Sequence, residues 1–218
     1  MKKRYSWLNH ILNFIAVILG VYLAFYVDAR GKAAEDRKEA RLLMRSMVND
    51  LEADIKSYED YHIPFNRNYQ EDVDSLLLFV STNKVEAAES KLPAILQVEN
   101  YAPNNSIYNS MKSSGKLKLI DDAQLQKTLS DFYDGRVQET ISKNEIQADY
   151  FLDELVTWLR FNTDLMNMRL LPNRELIVLQ NTLIIYQSLV GQKLRDYQLV
   201  VEESEALKEQ IEAYLADH

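Results

Sequence analysis

Glu59-x-x-His62 has the spacing of the Glu-x-x-His element that carboxylate-bridged di-iron bundles place on a helix. That chemistry needs a second such element and two further Glu on facing helices. The chain has three His, and of the other two His10 lies in an apolar stretch and His218 is terminal, so Glu59 and His62 read as a solvated helix end. Ser113-Ser114-Gly115-Lys116 looks like the close of a phosphate-binding loop, which requires Gly five residues before Gly115 and Ser or Thr after Lys116. Ser110 and Leu117 stand in those places, and Gly115 is better read as a left-handed helix cap. Glu145, Asp149 and Asp153 share one helical face at spacings of four, where carboxylates could bind a cation or raise one another's pKa. Like charges so placed usually face solvent, and Glu202, Glu203 and Glu205 take the same reading. The 13 Tyr, among them Tyr186, Tyr197 and Tyr214 at helical spacing, suit core edges and interfaces where a hydroxyl finds a partner.

The whole composition narrows the choice in the same direction. With 218 residues the expectation is one folded domain, or one domain with an attachment. Five Gly and four Pro supply few of the tight turns an all-β protein needs, and the absence of Cys excludes a disulfide scaffold, a thiol nucleophile and thiolate metal sites. A net charge of −8 argues against nucleic-acid binding. The expectation is therefore a non-enzymatic protein with no catalytic residues, no cofactor, no metal and no evident small-molecule substrate.

Trp7 to Val27 is a run of 21 residues, 17 of them apolar, broken only by Asn9, His10, Asn13 and Gly20. As a helix it rises roughly 31 Å, the hydrocarbon thickness of a bilayer. Trp7, Tyr22 and Tyr26 stand toward its ends, and Lys2, Lys3 and Arg4 precede it in a basic tail of residues 1–6. A cleavable signal peptide is the rival reading, with Val27-Asp28-Ala29 as its processing site. The length of the run and the bulk of Phe25 and Tyr26 favour a retained anchor. Asn9, Asn13, Ala16, Gly20 and Ala24 fall three or four apart on one face, and the small-residue ladder Ala16-x-x-x-Gly20-x-x-x-Ala24 is expected to serve helix association in lipid.

Lys and Arg flank both ends, with Arg30, Lys32, Arg37, Lys38 and Arg41 following the run, so a simple count places more positive charge on its C-terminal side. A short, concentrated basic N-tail resists translocation, which favours a bacterial inner-membrane anchor with the bulk of the chain in the periplasm. Residues 1–45 carry nine Lys and Arg against four Asp and Glu, whereas residues 46–218 carry 16 against 29. Lys2, Lys3, Arg4, Arg30 and Lys32 are expected to meet lipid headgroups, beneath an acidic, soluble body.

Past the anchor, Ala40, Met44, Met47, Leu51, Ile55 and Tyr58 make one apolar stripe, predicting a stalk helix over 28–62 that needs a partner in cis or in trans. Residues 63–218 are expected to form a helical bundle. Its parts are an amphipathic run at 66–82, a shorter one at 85–98 interrupted by Pro93, a loop at 99–105, a short helix from Ser106 to Ser113, and a closing antiparallel hairpin of long helices over 122–170 and 173–217. The predicted fold is all-α, an elongated bundle on a membrane stalk.

Two stretches resemble a bacterial family of single-pass membrane proteins whose helical domain has no assigned function. One is Ile15-Ala16-Val17-Ile18-Leu19-Gly20-Val21-Tyr22-Leu23-Ala24-Phe25 with the charged helix from Lys32 to Leu51. The other is Ser106-Ile107-Tyr108-Asn109-Ser110-Met111-Lys112-Ser113-Ser114-Gly115-Lys116-Leu117-Lys118-Leu119-Ile120, running on through Leu125 to Phe132-Tyr133. The second is similar to the family's Tyr-x-x-Leu-Lys-Ser-Ser-Gly-x-Leu-x-x-Ile pattern, with Met111 where Leu is usual. Val27-Asp28-Ala29 departs from the Asn-Trp-Asn often found there. The resemblance covers under half the chain and implies architecture without catalytic residues. Read physically, Tyr108, Ser113, Gly115, Leu117 and Ile120 build a structural corner between two bundle segments. The functional expectation is a membrane-anchored scaffold or accessory subunit that meets lipid and self-associates or joins a membrane protein partner. The alternative is a pore or gated channel subunit in which Asn9, His10 and Asn13 line a polar mouth.

Overall fold

The computed structural model describes residues 3–172 and 174–217. Helix α1 (Lys3–Ser57), a π turn at Tyr58–His62 and α2 (Ile63–Ser81) follow one another with helical backbone throughout. The stretch Asn9–Ser81 is thus one rod of 73 residues, about 110 Å long at 1.5 Å per residue. Where two helices were expected, a stalk ending at His62 and a run at 66–82, there is one. Pro64 lacks the N–H that would continue the ladder, but it falls in the first turn of α2, directly after the π turn that re-sets the hydrogen bonding.

From Ser81 the chain turns and comes back along the rod. It passes through α3 (Val85–Ile95), a non-helical segment 96–105, α4 (Ser106–Ser113) and a 3-10 turn at Lys116–Leu119. Contacts of Tyr69 with Ile95, Asp54 with Tyr101, and Glu39 with Lys116 fix this return as antiparallel. The third pass rises again through α5 (Ala123–Ser130), a π turn at Asp131–Arg136, α6 (Val137–Tyr150), a π turn at Phe151–Val156 and α7 (Thr157–Asn162). Asp122 caps its start, its carboxylate accepting from the N–H groups of Gln124 and Leu125 at 2.8 and 3.0 Å.

At the far end, β1 (Thr163–Asp164) pairs antiparallel with β2 (Arg169–Leu170), and α8 (Leu176–Asp217) descends the full length of the bundle. The long helix expected over 122–170 therefore stops at Asn162, and the one expected from 173 begins at Leu176. The physical reason lies in Asp164, whose carboxylate accepts from the N–H groups of Met166 and Asn167 and closes a turn in place of a helical one. The architecture is all-α apart from this hairpin, a four-pass bundle in which α8 packs on α1–α2 and on α6.

The stalk is shorter than expected. Ala40, Met44, Met47, Leu51 and Tyr58 are buried by the chain's own α4, third pass and α8, so the stripe finds its partner in cis and the bundle begins near Glu39. The core comprises two large apolar lobes and, between them, a small cluster of Tyr58, Tyr197, Val200 and Val201. The lobe nearer the apolar N-terminal run holds Met44, Leu51, Met111, Leu129 and Ile211, and the far lobe holds Val73, Leu92, Leu155, Leu183 and Val190. Between them lies a layer of a different kind.

Candidate functional site

The middle layer exists because the second pass unwinds at 96–105. Backbone groups of that segment have no helical partner, and buried polar groups must be bonded. The facing helices supply the partners. Lys193 of α8, only 1% exposed, directs its ammonium at the Glu99 carbonyl (2.7 Å), the Gln147 Oε1 (2.9 Å) and the Asn100 Oδ1 (3.3 Å). Asn144 donates to the Tyr101 carbonyl at 2.7 Å, and the Tyr101 N–H donates to the Tyr197 hydroxyl at 2.8 Å. Asp54 of α1 takes the Tyr101 hydroxyl at 2.6 Å and the Asn104 N–H at 2.8 Å. The Glu99 carboxylate meets the His62 Nδ1 and the Asn66 amide, and the His62 ring stacks on Tyr101 with centroids 3.9 Å apart.

The layer continues through Gln147, whose amide donates to the Tyr186 hydroxyl at 2.6 Å, and the Tyr186 hydroxyl in turn meets Tyr69 at 2.7 Å. Toward the apolar N-terminal run, Asp196, also 1% exposed, accepts from Thr140 (2.6 Å), Lys143 (2.7 Å) and Arg136 (3.3 Å). Arg136 extends the network to Glu203 at 2.6 Å and Glu139 at 3.0 Å. Four passes of chain are pinned together by this belt.

Its electrostatics follow from burial. Desolvation pushes the Lys193 ammonium down to about 8, partly opposed by Glu99. Desolvation raises the Asp54 carboxyl against the lowering effect of its Tyr101 and Asn104 hydrogen bonds. Burial also raises the Tyr101 and Tyr186 phenols to about 12 and lifts Tyr58, Tyr69 and Tyr197 further. Lys193 spends its donors on three acceptors of its own chain, so the arrangement fastens the unwound segment. Among the described residues no group of three or more His, Asp or Glu is placed to hold a metal ion.

The residues singled out in the sequence separate cleanly in space. His62 is buried against Glu99 and Tyr101, whereas Glu59 is exposed, so the pair does not share a site. The reading of His62 as a solvated helix end is corrected: the loop covers it, since Glu99 closes over its ring. Glu145, Asp149 and Asp153 stay exposed on the third pass. At the corner, Tyr108 and Ile120 are buried and Leu117 packs against the same lobe, while Ser113 and Gly115 lie at the surface, Gly115 with φ +72°. The Tyr108 ring stacks on Tyr133 at 4.7 Å and its hydroxyl donates to Asp134 at 2.6 Å.

Asn9, Asn13, Ala16, Gly20 and Ala24 are exposed on α1, with open space around Gly20. Arg30 lies 4.7 Å over the Tyr26 ring, and Lys32 pairs with Asp28 at 3.2 Å. Lys2 lies outside the described residues, as do the side chains of Lys3 and Arg4. The rod is long and apolar enough near its N-terminus to cross a membrane, and none of its most apolar window is buried by the rest of the chain. The belt itself escaped the sequence reading, because Asp54, His62, Asn66, Thr140, Asn144, Gln147, Lys193 and Asp196 occupy core positions where apolar periodicity is sought. No family model, curated protein or solved structure matches this chain.

Proposed function

We propose that this chain is a non-enzymatic, single-pass membrane scaffold or accessory subunit. In this reading Trp7–Val27 crosses a bacterial inner membrane and the acidic bundle stands on its periplasmic side. The observation that carries the reading is a contrast along one helix. From Ala40 onward the apolar stripe of the rod is covered by the chain itself, whereas between Trp7 and Val27 most of the described bulky apolar side chains stand exposed, with lipid and other membrane helices as their natural surroundings.

Because the bundle satisfies its own stripe, assembly falls to the anchor. Asn9, Asn13, Ala16, Gly20 and Ala24 form the contact face, toward a second copy or a membrane protein partner, and the basic residues from Lys2 to Arg4 with Arg30 and Lys32 meet headgroups. The likeness to single-pass bacterial proteins in Ile15–Phe25 and Ser106–Ile120 supports the same architecture. Two measurements on the full chain in its own membrane test the reading. Resistance to alkaline extraction reports the anchor, and association of the anchors in a membrane reporter reports the face. Gly20→Ile should leave the chain membrane-bound and lower association several-fold. Release by alkali, or association unchanged by Gly20→Ile, would overturn the reading.

A further inference from the structure

At the end of the bundle away from the anchor, the β1–β2 hairpin presents Met166 at 93% exposure, flanked by exposed Phe161, Leu165 and Ile177. The protrusion is built. Leu170 N–H donates to the Glu89 carboxylate at 2.9 Å and Leu171 N–H to the Asn162 carbonyl at 2.8 Å, seating the hairpin on α3 and on the end of α7. The Asp164 carboxylate accepts from the backbone N–H groups of Met166 and Asn167 and from the Asn167 amide at 2.7 Å, bonds that hold it ionised at the base of an apex of exposed Leu165, Met166 and Asn167, while Met168 packs back on the far lobe. Arg160, exposed and 4.7 Å over the Phe161 ring, and exposed Arg169 flank that apex.

The tip differs in charge from the average of the acidic body, although Glu89 of α3 lies beside it. Residues 160–178 carry three Arg against Asp164 and Glu175, while the rest of residues 46–218 carry 13 Lys and Arg against 27 Asp and Glu. An apolar apex beside arginines, on a body that anionic surfaces repel, is the pattern of a segment that dips its side chains among acyl chains and pairs its guanidinium groups with phosphate. We infer that the hairpin tip docks on the surface of an anionic phospholipid bilayer. This inference rests on the anchor reading for its consequence. With one end of the rod in a membrane, the tip stands about 80 Å from it along the 54 residues from Asp28 to Ser81. The surface it meets is then a second, apposed bilayer, and the protein is a tether.

The chain has no Cys, so Met166→Cys gives one site for an environment-sensitive fluorophore such as NBD, and Ser75→Cys on the shaft of α2 gives a control. The labelled full-length protein is held in donor liposomes and mixed with protein-free acceptor vesicles of phosphatidylcholine with or without phosphatidylserine. NBD at position 166 should brighten and shift to the blue with anionic acceptors, and at position 75 it should not. Replacing Arg160 and Arg169 by Gln should weaken acceptor binding about fivefold for each arginine removed. No change at position 166, an equal change at position 75, or a change already complete in donor liposomes alone (contact with a second copy or with the same membrane) would overturn the docking. Failure of the anchor would show separately, as alkaline release from the donor, without altering what the fluorophore reports.

Discussion

Lys193 is the side chain on which the middle of the molecule depends. Its three acceptors belong to the unwound segment and to α6, so its loss orphans the Glu99 carbonyl and the Gln147 amide oxygen inside the bundle. Each orphaned acceptor costs about 1–3 kcal/mol, offset in part by no longer burying a charge, and Lys193→Met should lower unfolding free energy by about 2 kcal/mol in urea titration. The pH dependence carries the same signature. The folded chain holds the Lys193 proton less tightly than the unfolded one, where its pKa is 10.5. Between pH 8 and 10.5 the unfolded state therefore binds more protons, and stability rises with pH across that window. The buried phenols of Tyr101 and Tyr186 act oppositely: they stay protonated in the fold up to about 12, so above their ordinary value of 10 stability falls. Thermal unfolding should show a midpoint that climbs toward about pH 9–10 and then declines. Lys193→Met should flatten the climb and spare the decline.

At the scale of elements, two glycines predict opposite outcomes. Gly115 sits at φ +72° after α4 with nothing within 4 Å of the place a methyl group would take, so Gly115→Ala meets backbone strain alone and should cost about 1 kcal/mol. Gly135 lies in the π turn of the third pass with the same open space and no positive φ, and Gly135→Ala should stabilise by about 0.5–1 kcal/mol in the same thermal assay. The π turns also explain what the sequence did and did not disclose. Buried positions on the rod run 40, 44, 47, 51, 54, 58 and then 62, 66, 69, 73, one residue later than a heptad would place them, and the slip coincides with Tyr58–His62. On the third pass the buried positions include Thr140, Asn144 and Gln147, polar residues that interrupt the apolar stripe, so Leu125, Leu129, Phe132 and Leu155 were legible as core and the belt was not. Helices, the Gly115 cap and the Asp122 cap follow from local rules. His62 and Glu99 stand 37 residues apart, and only the return of the second pass brings them together.

For the whole molecule, one helix carries two kinds of surface. Its C-terminal half is buried by a bundle of the same chain, and its N-terminal half carries a run of 21 residues, 17 of them apolar and most of the described ones exposed, with a stripe of small side chains. The belt between the two lobes holds the passes in register, and the hairpin carries the apolar tip at the far end. A rigid spacer between the apolar run and the tip is what such an arrangement provides, and in the proposed reading the run is its assembling element. The measurement that tests this most directly is the native mass of the full-length protein, extracted gently from its own membrane without overexpressed partners. The expected particles have a protein mass above the 25.4 kDa of one chain, as multiples of it or with a co-purifying membrane protein, falling to one chain with Gly20→Ile. Particles holding a single chain in the unaltered protein would contradict it.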